Sequence, residues 1–214
     1  VLAGGDRESV GAGFTDSGGF ISLMAILITL FVQARELSYS TEALQDQGES
    51  LRMQSFENTF FSLLKILNDS INNAEVEEGQ YKGARAFRHM WKMLNDSYSF
   101  YVKNKKSNDD VELISKSYDL FYNKNQDSLD SFLRNVLRII EMVETRCPSS
   151  PKQYVKILIS QLNNYQLALL FYHIYAGDEV VSKDFLKANN FFSTLPDKVL
   201  LDPELHKYIK EEYA

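Results

Sequence analysis

One cysteine, Cys147, stands among 214 residues. A lone cysteine excludes an internal disulfide and fits a reducing compartment. It precedes Pro148 with no histidine near it in sequence, so it is not read as a nucleophile. Histidines number three, His89, His173 and His206, and none belongs to a metal motif such as two histidines four apart with a glutamate. Glycine-rich phosphate loops are missing, as are alternating segments joined by hairpin chemistry. No long basic run offsets the net charge of −6, which argues against a general nucleic-acid binder. The densest basic patch, Lys103 to Lys106, sits in a loop-like Asn/Ser/Asp context. Ser62 and Lys65 match a Ser-x-x-Lys pattern, but its companion motifs are absent and the segment reads as core helix. No catalytic residue, cofactor or metal is assigned.

What is present centres on Gly18 to Leu67, a stretch without proline. Phe20 to Val32 is apolar, and no charge occurs between Asp16 and Arg35. At 1.5 Å per residue that run rises about 20 Å, against a hydrocarbon core of roughly 30 Å. Gly13, Phe14, Gly18 and Gly19 can extend it upstream, and Ser22 and Thr29 can hydrogen-bond back to their own helix. The run is read as a membrane helix over 18–33, with a buried core helix as the alternative. Residues 34–55 read as a helical stalk. Leu23, Leu30, Leu37, Leu44 and Leu51 are seven apart, and the matching a positions, Leu27, Ala34, Thr41 and Gly48, give a narrow seam. Ser22 and Thr29 share the neighbouring face, where hydroxyls are commoner at helix–helix contacts than towards lipid. A homo-oligomer along Ser22, Leu23, Thr29, Leu30, Leu37, Leu44 and Leu51 is therefore expected; a solvated connector with an accidental leucine stripe is the alternative.

The rest reads all-α: an N-terminal membrane helix continuing as a stalk into a compact helical-bundle domain over 56–214. Residues 1–17, rich in glycine and small polar residues, read as a loop on the extracytoplasmic side. The chain begins with Val1 and shows nothing like a cleavable signal, so an upstream segment is expected. Phe56 to Ile71 is apolar on enough sides to suggest a helix buried on several faces. Gly83 to Val102 forms the next helix, with Phe87, Met90, Trp91, Leu94, Tyr98 and Tyr101 on its stripe. Asn108 or Asp109 can cap a helix carrying Val111, Ile114, Tyr118 and Phe121. A separate helix starts near Ser128. Ser150 and Pro151 open another, Asn163 with Gln166 forms a capping box, and Gly177 closes that helix. Ser182 to Phe192 and a segment from Pro203 complete the set.

Arg85, Arg88 and His89 suggest one enzymatic alternative. They resemble the arginine-to-histidine motif of HEPN-type helical ribonucleases, but three residues separate Arg85 from His89 where that motif has four to six. His89 is expected to pack beside Trp91 or face solvent, and His173 to be a hydrogen-bonded core histidine.

Four segments taken in order resemble the phage abortive infection proteins related to AbiC. They are Gly13-Phe14-Thr15-Asp16-Ser17-Gly18-Gly19 with Gln33-Ala34-Arg35-Glu36-Leu37; Glu57-Asn58-Thr59-Phe60-Phe61-Ser62-Leu63-Leu64; Phe132 to Ile140; and Tyr154 to Ile159 continuing through Ser160 to Tyr172. Asn163 and Gln166 stand where that family has serine and glutamate, Leu133-Arg134 replaces an aromatic–arginine pair, and an earlier membrane helix is missing. The resemblance implies a bacterial inner-membrane protein of antiphage defence. Its helical domain would be cytoplasmic, its partners a lipid bilayer and a phage or host protein that triggers it, and no catalytic residues come with it. A purely cytoplasmic helical adaptor is a further alternative.

Overall fold

The structure is a computed structural model, in which residues 9–104, 109–177 and 181–213 are described. It contains seven α-helices and one two-stranded pair among those residues. The order is α1 (Ser9–Asn73), β1 (Glu75–Val76), β2 (Tyr81–Lys82), α2 (Ala84–Lys103), α3 (Asp110–Arg146), α4 (Pro151–Ser160), α5 (Asn164–Ala176), α6 (Lys183–Ala188), a 3-10 turn (Asp197–Val199) and α7 (Pro203–Tyr213). The chain divides into two units, Val1–Gln54 and Ser55–Ala214.

In the first unit every residue is helical from Ser9 onward, so the loop read for 1–17 gives way to helix at its ninth residue. Ser22 Oγ donates to the Gly18 carbonyl at 2.9 Å and Thr29 Oγ1 to the Ala25 carbonyl at 2.8 Å. Both hydroxyls are thus satisfied within the helix, as membrane hydrocarbon would require. The apolar side chains from Phe20 to Val32 are exposed. Arg35 donates to the Tyr39 hydroxyl and covers its ring.

The second unit holds the core. Phe56, Phe60, Leu64, Leu67 and Ile71 form a buried stripe at spacings of three and four. Phe61 and Ile66 are exposed, so this part of α1 buries one face rather than several. Tyr154 of α4 packs edge-on against both Phe56 and Phe60 and donates its hydroxyl to Glu57 at 3.0 Å. On α2 the buried residues are Ala86, Phe87, Met90, Leu94 and Tyr98, and Phe87 meets Phe132 of α3 at 4.7 Å between ring centres. α5 is the most interior helix: Leu167 to Tyr172 are all buried, because this sequence is apolar around its whole circumference.

α3 corrects the expectation of two helices. It runs unbroken for 37 residues through Asn123–Ser128. The polar residues there stay helical because they find partners: Asn125 Nδ2 donates to the Phe121 carbonyl at 2.8 Å, and Ser128 Oγ donates to the Glu75 carbonyl at 2.6 Å. Val111, expected on the buried face, is exposed in the first turn. Asp109 caps α3 through the Val111 N–H, whereas Asn108, Lys105 and Lys106 lie outside the described residues.

Other ends differ in detail. Ser150 occupies the N-cap before Pro151 but its side chain makes no cap hydrogen bond. Asn163 and Gln166 form the capping box in full. Gly177 ends α5 as expected, in extended geometry, its N–H donating to the His173 carbonyl. The helix expected from Ser182 to Phe192 is only Lys183–Ala188, after which Asn190 turns the chain at a φ of 53°.

The strand pair was not visible as an alternating pattern because each strand has two residues. Glu75 faces Lys82 and Val76 faces Tyr81. Glu77, Glu78 and Gly79 make the turn, all with positive φ. Gly83 follows at φ 56° and ψ −133°, a region essentially restricted to glycine, and its N–H returns to the Ala74 carbonyl at 2.8 Å.

Candidate functional site: a cationic, aromatic cavity on α2

The hairpin ends where α2 begins, and this junction builds a cavity of about 420 Å³. Its cations come from α2: Arg85, Arg88 and Lys92, at spacings of three and four, on one face of the helix. Its aromatic walls are Tyr81, Trp91 and Tyr165, with His89 between hairpin and helix. The imidazole is tied twice. Its Nε2 lies 2.8 Å from Glu77 Oε1, and its ring stacks on Tyr81. The expectation that His89 packs beside Trp91 or faces solvent is replaced by this hairpin clamp. Trp91 is oriented from the other side, its indole N–H donating to the Val199 carbonyl at 2.9 Å, and it packs against Tyr165 of α5 at 5.5 Å. Ser62 donates to the Asn58 carbonyl within α1, and its Ser-x-x-Lys spacing meets no partner chemistry.

Arg85, Arg88 and His89 are therefore brought into one cavity, which the sequence motif could not establish. Tyr81, Lys92 and Tyr165 were missed as lining residues, and Trp91 was read only as core. Lys92, seven residues after Arg85, was a legible extension of the cationic face. Tyr81 was not legible, since only the hairpin carries it there.

A second polar centre, buried, ties α5 to α7. The Tyr172 hydroxyl accepts from the Leu201 N–H and bonds His206 Nδ1, both at 2.8 Å. His206 is fully buried and its Nε2 has no hydrogen-bond partner. Burial lowers the His206 pKa to about 4, against the smaller opposing pull of Asp202 and Asp110. Burial likewise pushes Tyr98 up to about 12 and Tyr172 well above its ordinary value. His173 is hydrogen-bonded as expected, its Nδ1 lying 2.7 Å from the Tyr118 hydroxyl, but it is half-buried rather than in the core.

The face read as an oligomer seam, Leu23, Leu30, Leu37, Leu44 and Leu51, is exposed throughout, between 54% and 69%. Ser22 and Thr29 lie beside it, bonded only to their own helix. One helix among the described residues, spanning Gly18–Asn73 within α1, is long and apolar enough near the N-terminus to cross a membrane.

Residues 124–200 match the family model described as "Putative phage abortive infection protein". The match contains two of the four segments that carry the resemblance, Phe132 to Ile140 and Tyr154 to Tyr172, and it includes Tyr165 of the cavity. Arg85, Arg88, His89 and Lys92 lie outside it. No curated protein and no solved structure matches the chain.

Proposed function

We propose that this chain is a membrane-anchored antiphage protein of the abortive-infection type, acting at the bacterial inner membrane with its helical domain in the cytoplasm. The observation that carries the reading is the match of residues 124–200, from the second half of α3 to the end of the 3-10 turn, to the abortive infection family. Support for the anchor comes from the charge-free, exposed run Phe20 to Val32, whose two hydroxyls need no outside partner. The helices associate as a homo-oligomer along Ser22, Leu23, Thr29, Leu30, Leu37, Leu44 and Leu51. The domain responds to a phage or host protein, and activation disturbs the membrane and arrests the infected cell.

The deciding experiment is phage plating on cells with and without the gene. Lower plating efficiency with the gene is the expected result; equal efficiency across a broad phage panel would sink the proposal. Replacing Phe20 to Val32 by an unrelated membrane helix separates an active membrane role from a passive anchor. Full protection without depolarisation in either version leaves only the anchor.

A metal-independent ribonuclease is the second reading, favoured by the convergence of Arg85, Arg88 and His89 on one cavity. Against it, His89 is already bonded to Glu77 and stacked on Tyr81. RNA cleavage by the purified protein that His89→Ala abolishes would establish it. A soluble adaptor is the reading left if the full chain stays in solution without detergent.

A further inference from the structure

Three features of the α2 cavity point to one class of ligand. Arg85, Arg88 and Lys92 have no ion-pair partner among the described residues, although the chain carries a net charge of −6. Like charges at these spacings repel one another along a helix. All three are solvent-exposed, yet they line one cavity together with three aromatic side chains. The carboxylate bonded to a lining residue, Glu77, is engaged with His89 and leaves the guanidinium groups to an outside anion.

The walls add the second requirement. Trp91 is held by its N–H bond to Val199 and packed on Tyr165, so its orientation is set before anything binds. Tyr81 is fixed by its stack on His89. Inorganic phosphate would use the cations and leave three rings idle. An alkyl chain would find no use for flat faces. A flat heterocycle carrying phosphate uses both, by stacking on aromatic rings and by charge-assisted bonds to arginine. The volume, about 420 Å³, lies in the range of roughly 300–1,000 Å³ typical of small-molecule sites.

We infer that this cavity binds a phosphorylated nucleoside, a nucleotide either free or at the 5′ end of an RNA strand. Arg85, Arg88 and Lys92 take the phosphate, and Trp91 and Tyr165 take the base. The site goes beyond the membrane reading and does not depend on it.

The test is calorimetric titration of the full chain in detergent micelles with 5′-AMP, GMP, CMP and UMP, and with adenosine and inorganic phosphate. At least one nucleotide binds about tenfold or more tightly than phosphate or nucleoside alone, and raising the salt weakens it. The exposed double substitution Arg85→Gln/Arg88→Gln lowers nucleotide affinity about tenfold or more, with the helical circular dichroism unchanged. Tyr165→Leu keeps the apolar packing, weakens the nucleotide and spares phosphate. A six-nucleotide RNA bearing a 5′ phosphate distinguishes the sources: tighter binding than the mononucleotide assigns the strand end, and equal or weaker binding assigns the free nucleotide. The inference is overturned if no nucleotide binds more tightly than phosphate, or if the double variant binds as well as the parent.

Discussion

His89 lies flat on Tyr81, ring centres 4.1 Å apart and planes 11° from parallel. A two-residue strand and a helix are joined by this stack, and the joint depends on Gly83 holding a conformation other residues resist. An alanine Cβ would find space there, with its nearest neighbour, the Asn72 carbonyl, at 3.8 Å. The obstacle is the backbone alone. Gly83→Ala should therefore destabilise the domain by about 1–3 kcal/mol. Thermal or urea denaturation measures this; an unchanged midpoint would mean the hairpin does not hold its geometry.

His206 makes stability depend on pH in a stated direction. Its pKa is about 4 in the folded protein and near the ordinary 6.5 when unfolded. Between those values the unfolded chain binds more protons, so stability falls as pH drops from about 6.5 to about 4. The loss from this group is on the order of 3 kcal/mol. His206→Leu should flatten that segment of the curve in urea denaturation at a series of pH values. A slope equal to the parent's would assign the acid sensitivity elsewhere.

Tyr172→Phe removes two bonds with one oxygen, leaving the Leu201 N–H and His206 Nδ1 without their partner. A loss of about 1–3 kcal/mol is expected from the buried groups left unsatisfied. Amide exchange should show the Leu201 N–H losing protection first; uniform loss across the domain would contradict a local tie.

Ile26→Arg places a charge near the middle of Phe20 to Val32. A central arginine costs about 2.5–3.5 kcal/mol for insertion. The variant should leave the membrane pellet on alkaline wash while the parent stays. Equal partitioning of both would remove the anchor from the proposal.

Helix faces were legible where apolar residues recur at three and four, as on α2. Capping was legible where a side chain bonds its own turn, as at Asp109 and Asn163. What the sequence hid was decided by distant partners. Ser128 looked like the start of a separate helix, yet it stays within α3 while bonding a carbonyl 53 residues away. Phe61 and Ile66 looked like core because composition does not reveal how many faces of a helix have neighbours. Three members of the cavity could be named from one α2 motif, but Tyr81 and Tyr165 come from other elements, and only tertiary folding sets them beside it.

The indole bond from Trp91 to Val199 gives the molecule an internal optical reporter. Trp91 is the single tryptophan of the chain, so its fluorescence has one source. That source is both a wall of the cavity and the hydrogen-bond donor to the 3-10 turn Asp197–Val199. A base stacked on it would quench the emission without a red shift, whereas departure of the turn would wet the indole and shift the emission to the red. Occupancy of the cavity and loosening of the C-terminal segment are thus separable by intensity and colour in unlabelled protein.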